Sequence, residues 1–238
     1  ARLYRCVLAR MAEHYGRQPD TGDLTNVSVA KYLDVRSATV SPHTVERERT
    51  QILALWRFAC VHRIGSVVLM PDVPAGRLPQ KIPRAWNAEE MKLLMISARM
   101  TQGTIAGKEA GNFFHALIFT SWITAERIGA LMALTPRDLV DPHLTVRAET
   151  RKGGRSGKLF ELPDALVALL HSIEGSEKIF TWDRSDTLLW RYFKKIAKRA
   201  DLYEKGIGFH QIRRSSASYI AAAGGNASEH LGHSDPRL

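Results

Sequence analysis

The 238-residue sequence is 45% hydrophobic and 24% charged, so it can bury a core of ordinary size and is not a low-complexity tail. Its 34 Lys and Arg outnumber 24 Asp and Glu, and the net charge of +10 points to a polyanionic partner, with nucleic acid first. Two cysteines exclude a disulfide framework and a Cys-based zinc site, 8% aromatic residues do not suggest a base-stacking single-strand binder, and no apolar run is long enough to span a membrane.

In chain order, Leu3, Val7, Leu8 and Met11 predict a helix over Leu3 to Tyr15, beginning at Ala1 rather than Met, as expected of a processed or trimmed piece. Turn residues fill 16–25, and a shorter helix follows over Val27 to Leu33. Ser41 and Pro42 start a third helix with Val45, Ile52, Leu55, Trp56 and Ala59 on one face, which Gly65 is placed to end. Its other face mixes Arg47, Arg49, Arg57 and Arg63 with Glu46 and Glu48, a pattern usual for a solvated surface. Pro71, Pro74, Pro79, Pro83 and Gly76 mark a semi-rigid linker. The expected organisation is a helical domain over 1–66, a proline-rich linker over 67–86 and a second domain over 87–238.

The second domain opens with a capping pair, Asn87 and Glu90, ahead of Met91, Leu93, Leu94 and Ile96. Phe113, Phe114, Leu117, Ile118 and Trp122 predict a long apolar helix, and Ile128, Leu131, Met132 and Leu134 continue a helical pattern up to Pro136. Leu144, Val146 and Ala148 alternate as in a half-buried strand. A basic, glycine-rich turn over 151–158 leads to a partner strand over Leu159 to Leu162. Further helices are expected over Pro163 to Ile173, Asp186 to Ala200 and His210 to Ala223, with a short one capped by Asn226 and Glu229. The fold class is therefore mainly α with a small antiparallel β-sheet.

Several polar residues stand out, each with an ordinary structural explanation when taken alone. Arg127 opens an otherwise apolar helix. Lys152 sits in the hairpin among Arg151, Arg155 and Lys158, where glycines let the backbone approach a groove closely. His210 and Arg213 are spaced i, i+3 and share one face of a helix of small apolar residues. His230 and His233 lack the further ligands a zinc site requires, Glu229 excepted, so no metal is expected.

In combination these residues resemble the ordered boxes of the tyrosine recombinase (phage integrase) family. The boxes are T-A-E-R-I-G-A-L at Thr124 to Leu131, the basic hairpin with Lys152, H-Q-I-R at His210 to Arg213, and L-G-H at Leu231 to His233. The first helices are similar to that family's SAM-like core-binding domain, and the resemblance spans nearly the whole chain. It implies an N-terminal core-binding domain plus a mixed α+β catalytic domain. The activity it implies is site-specific DNA recombination or integration. In this chemistry a tyrosine attacks a phosphodiester, forms a 3′-phosphotyrosyl link and frees a 5′-hydroxyl, which is later rejoined to a new partner without metal or nucleotide cofactor.

By the same resemblance Arg127 and Arg213 grip the non-bridging oxygens and His233 adds a donor. Lys152 protonates the leaving oxygen, and His210 assists proton transfer at the nucleophile. Arg47, Arg49, Arg57, Arg151, Arg155, Lys158 and Arg214 are the expected further contacts to double-stranded DNA. The implied assembly is a tetramer on paired DNA sites, and the implied setting is the cytoplasm, at the nucleoid of a bacterium or in phage infection, on a mobile element.

Three departures stand out. Ala130 occupies the place of an acid three residues after the first arginine, with Glu126 as a candidate substitute. Arg214 stands where a histidine is common. The stretch from Arg213 to His233 is short, with Gly224-Gly225-Asn226 as a tightened turn. The family's tyrosine falls two to three helical turns beyond L-G-H, so it is expected outside this sequence, which would leave this chain inactive alone. Tyr219, between the boxes, reads as core packing. Two other readings stay open: a non-catalytic DNA-binding protein of the same fold, and a type IB topoisomerase.

Overall fold

The computed structural model describes residues 2–65, 67, 69–79, 84–151 and 156–232. Lys152, Arg155, His233 and Pro83 lie outside the described residues. Two compact units divide the chain, Ala1–Ile82 and Pro83–Leu238.

The first unit is built on three helices, α1 (Arg2–Tyr15), α2 (Asn26–Ser37) and α3 (Pro42–Val61). Thr25 caps α2 by accepting from the Ser28 amide. Ser41 caps α3 ahead of Pro42, whose missing N–H is no loss in a first turn. Val7, Met11, Val29, Tyr32, Leu33, Ile52, Leu53 and Trp56 form the core.

Two features depart from the sequence reading. Glu48, placed on a solvated mixed-charge face, is fully buried instead: Arg10, Tyr32 and Arg36 all donate to its carboxylate. Part of the 67–86 segment, read as a linker, packs on this unit. Val67 and Val73 belong to its core, Trp56 Nε1 donates to the Leu69 carbonyl at 2.8 Å, and Arg49 Nε donates to that of Val73 at 2.9 Å. Prolines forbid a helix there, but they leave carbonyls that side chains can capture.

The second unit centres on α5 (Ala110–Thr124), buried on nearly every side and packed against α4 (Ala88–Arg99), α7 (Asp164–Ile173) and α9 (Phe209–Ala222). The Asn87–Glu90 capping box starts α4 as the sequence predicts. A two-residue hairpin, β1 (Thr104–Ile105) and β2 (Lys108–Glu109), turns at Ala106 and Gly107, both with positive φ. Strands this short leave no alternation in sequence, so no periodic signal marks the hairpin.

A three-stranded antiparallel sheet runs in the order β3 (Leu139–Val140), β4 (His143–Val146), β5 (Lys158–Glu161). Its register pairs Leu144 with Phe160 and Val146 with Lys158. Leu144 and Val146 point into the core, as their alternation predicts, while Ala148 falls in a 3₁₀ turn. The helix after α5 is shorter than expected: α6 covers only Ile128–Leu131. Completing the unit are α8 (Asp186–Arg199) and α10 (Ala227–Leu231), the latter capped by Asn226 accepting from the Glu229 amide.

Candidate active site

The site begins where α5 ends. Ala125 adopts left-handed φ +50, which breaks the helix and turns the chain back. Glu126, with its amide bonded to Thr124 Oγ1, drops into the interior, and Arg127 becomes the N-cap residue of α6. This kink is why the apolar run from Phe113 to Leu134 is two helices rather than one.

Helix α9 supplies the opposite wall. Its stripe of His210, Arg213, Arg214, Ala217, Ser218 and Ala221 lines a cleft together with Arg127, Ala227 and Leu231. The alanines keep the floor low, with Arg214 exposed, Arg127 partly exposed and Arg213 buried against it. The reverse stripe is pinned: the Trp86 amide donates to Ser215 Oγ at 2.7 Å and the Gln211 amide side chain donates to the Arg84 carbonyl. Residues 84–86 thus strap α9 in place behind the cleft.

Arg213 is only 3% exposed. One guanidinium nitrogen donates to the Ala125 carbonyl at the kink, the other to the Leu231 carbonyl at 2.7 Å. Burial, then the charge of Arg127, pulls it down to about 10, against the raising effect of Glu126. It remains charged at neutral pH, and neutral carbonyls orient it without cancelling that charge.

Glu126 lies beneath the arginines with its side chain 1% exposed. Oε1 accepts from Arg151 Nε at 2.8 Å, whereas Oε2 lies 3.9 Å from the nearest Arg213 nitrogen and has no hydrogen-bond partner among the described residues. Arg151, expected on a DNA-facing surface, turns inward: its side chain is 9% exposed and also donates to the Ser156 carbonyl at 2.8 Å. The Lys158 ammonium donates to the Glu229 and His230 carbonyls at the end of α10. Burial and then Arg151 push its pKa down. Lys158 thus ties β5 to α10, and Arg151 ties the start of the hairpin to Glu126 at the kink.

His230 Nε2 meets Ser216 Oγ at 2.8 Å, and that hydroxyl also donates to the Trp122 carbonyl at 2.6 Å. Burial, then Lys158 and Arg213, lower the His230 pKa, so the imidazole sits neutral between α9 and α10. Of the remaining sequence-expected contacts, Arg47, Arg57 and Arg214 are exposed, whereas Arg49 is committed to Val73, Pro74 and Glu46. Tyr219, read as core packing, is 51% exposed and rests on Trp122. Among the described residues no three His, Cys, Asp or Glu side chains group closely enough to hold a metal, and no helix is long and apolar enough to cross a membrane. Nothing in the sequence marks Ser215 and Ser216, because a serine within a helix gives no signal of what its hydroxyl will meet.

Gly232 is fixed by this packing. Its φ is +64, and a Cβ there would lie 2.3 Å from an Arg151 nitrogen. Gly224, φ +82, has open space instead. Gly224→Ala should cost only the left-handed backbone penalty of about 1–2 kcal/mol. Gly232→Ala should cost more, because Arg151 must move off Glu126. Thermal melts of both variants check this, and equal losses would refute the crowding.

The fold is that of the tyrosine recombinases. No family model and no curated protein matches the sequence, but solved structures do. The chain is similar to XerH site-specific recombinase bound to its difH substrate in a pre-cleavage complex. That match has 17% identity over 99% of this chain and 74% of that one, with a TM-score of 0.77. It is similar also to a lambda integrase tetramer bound to a Holliday junction, at 19% identity, 98% and 70% coverage and TM-score 0.71. A lambda integrase dimer bound to a COC′ core site matches at 18% identity, 90% and 80% coverage and TM-score 0.69. At such identities the likeness establishes the fold.

Proposed function

We propose that this protein is a site-specific DNA recombinase of the tyrosine type, cleaving and rejoining duplex DNA through a 3′-phosphotyrosyl intermediate. The observation that carries the reading is that Arg127 and Arg213, 86 positions apart in sequence, line one cleft with His210 on a fold shared with DNA-bound recombinases. Two guanidiniums can grip the non-bridging oxygens of one phosphodiester with forked, charge-assisted bonds.

In this reading a tyrosine beyond the L-G-H box attacks phosphorus. The P–O5′ bond breaks, and the 5′-oxygen takes its proton from Lys152. His210 handles the tyrosine proton, and His233 adds a donor to the phosphorane. One ester replaces another, so the bond energy is conserved. The first unit acts as the core-binding domain and, with the second, grips duplex DNA. Protomers assemble as a tetramer on two sites, as the lambda integrase tetramer does on its junction. Integration of a mobile element and action at the nucleoid follow from this role. Arg47, Arg57, Arg155 and Arg214 contribute phosphate contacts, which set affinity and register rather than sequence choice.

The test is covalent capture by the full-length protein from a randomised library of nicked duplexes, followed by denaturing electrophoresis. A protein–DNA adduct resistant to denaturant is expected, with binding that weakens steeply as salt rises. Salt-sensitive binding with no adduct would overturn the catalytic reading in favour of a non-cleaving DNA-binding protein.

A further inference from the structure

The guanidiniums of Arg127 and Arg151 and one buried carboxylate, Glu126, gather around the buried Arg213, and Arg151 binds that carboxylate directly. The position three residues after Arg127, where the family carries an acid, holds Ala130, which is 2% exposed and packed into the apolar core. The work of such an acid therefore falls elsewhere or is not done. We propose that Glu126 is the positioning carboxylate of this site: with Oε1 held by Arg151, it stands off Arg213 and aims that guanidinium at the scissile phosphate. This rests on the recombinase reading given above.

The geometry favours this role over a simple structural salt bridge. A carboxylate in direct contact with Arg213 would use up its N–H donors and cancel its charge. At 3.9 Å, Oε2 attracts the guanidinium without taking a donor, while the Ala125 and Leu231 carbonyls fix its plane. Arg151 makes the stand-off possible, because it anchors the carboxylate on the side away from Arg213. The left-handed Ala125 completes the device, since the same kink delivers the carbonyl that Arg213 binds and turns Glu126 inward. The cations around Arg213 outnumber the single carboxylate Glu126, so the cluster keeps a net positive charge suited to the negative charge of a phosphorane. A buried oxygen with no hydrogen-bond partner among the described residues calls for a reason; here it is an electrostatic aim.

The experiment uses full-length protein and the duplex selected by covalent capture, prepared with either a phosphate or a methylphosphonate at the cleaved position. The methylphosphonate lacks the oxygen charge that Arg213 would neutralise. Glu126→Gln, which keeps shape but not charge, should slow single-turnover cleavage of the phosphate substrate about 10- to 100-fold, the cost of a misplaced catalytic group. Duplex affinity should stay within about twofold, because most of it comes from other phosphate contacts. On the methylphosphonate the defect should largely disappear. Arg151→Met, which removes the anchor but keeps the carboxylate, should give the same signature at smaller size. Equal losses on both substrates for both variants would make Glu126 merely structural, and wild-type rates would also overturn the proposal. Arg127→Ala separates the two levels: if it too cleaves normally, the recombinase reading fails; if it is dead while Glu126→Gln is normal, only this inference fails.

Discussion

Arg127→Ala and Arg213→Ala should both cut covalent adduct formation by about 10²- to 10³-fold, the usual cost of deleting one donor to a developing oxyanion, yet they should differ in stability. The Arg127 guanidinium makes no hydrogen bond to any described residue and lines the cleft partly exposed. Its removal should leave the melting temperature nearly unchanged, as for most substitutions outside the core. Arg213 is buried and holds the Ala125 and Leu231 carbonyls. Its removal orphans both acceptors and deprives Glu126 of a neighbouring positive charge, at a cost of about 2–4 kcal/mol. In a unit of this size that is a loss on the order of 10 °C. Single-turnover cleavage and calorimetry on the same preparations check the contrast. If Arg213→Ala melts like the wild type, its carbonyl contacts contribute nothing to the fold.

The largest stability effect should come from the first unit, at Glu48. This carboxylate is fully buried and accepts from Arg10, Tyr32 and Arg36, joining all three helices. Glu48→Ala leaves cations and a hydroxyl without their acceptor, at about 3–5 kcal/mol. For a unit of some 80 residues this approaches its whole stability. Calorimetry of the intact chain should show the first unit unfolding early, or already unfolded, while the second is retained.

The pH dependence follows from the same site. Burial pushes the Glu48 pKa up, but the hydrogen bonds from Arg36 and Tyr32 and the charges of Arg36 and Arg10 outweigh it, and the net shift is downward. A carboxyl lowered in the folded state contributes stability that is complete above its unfolded pKa of about 4.3 and is lost as pH falls through the lower native value. Acid melts should therefore lower the first unit's transition as pH falls below about 4, and a Glu48→Ala chain whose first unit still folds should show less of that dependence.

The sequence by itself determined the kinds of element and most of their places. Capping signals survive into three dimensions because they are local: Asn87–Glu90, Ser41–Pro42 and Asn226–Glu229 each close bonds within one helical turn. The strand alternation at Leu144 and Val146 and the inward face of α8 are legible because period and burial coincide. The order of Arg127, His210 and Arg213 pointed to phosphate chemistry only through its resemblance to the tyrosine recombinase boxes, because each residue alone has an ordinary structural reading.

Only the tertiary structure decided which charges face a ligand and which face one another. Arg49, Arg151 and Lys158 looked like surface cations, yet each is bound to backbone carbonyls or a buried acid. Glu48 looked like part of a solvated face and Glu126 was legible only as a candidate substitute for a missing acid, yet each lies buried among arginines. A charged side chain carries no periodic mark of its partner, and long-range ion pairs depend on helices that meet only after folding. The left-handed kink at Ala125 belongs to the same class. Nothing in Thr124-Ala125-Glu126 requires it, and it is held by contacts from Arg213, almost ninety residues away.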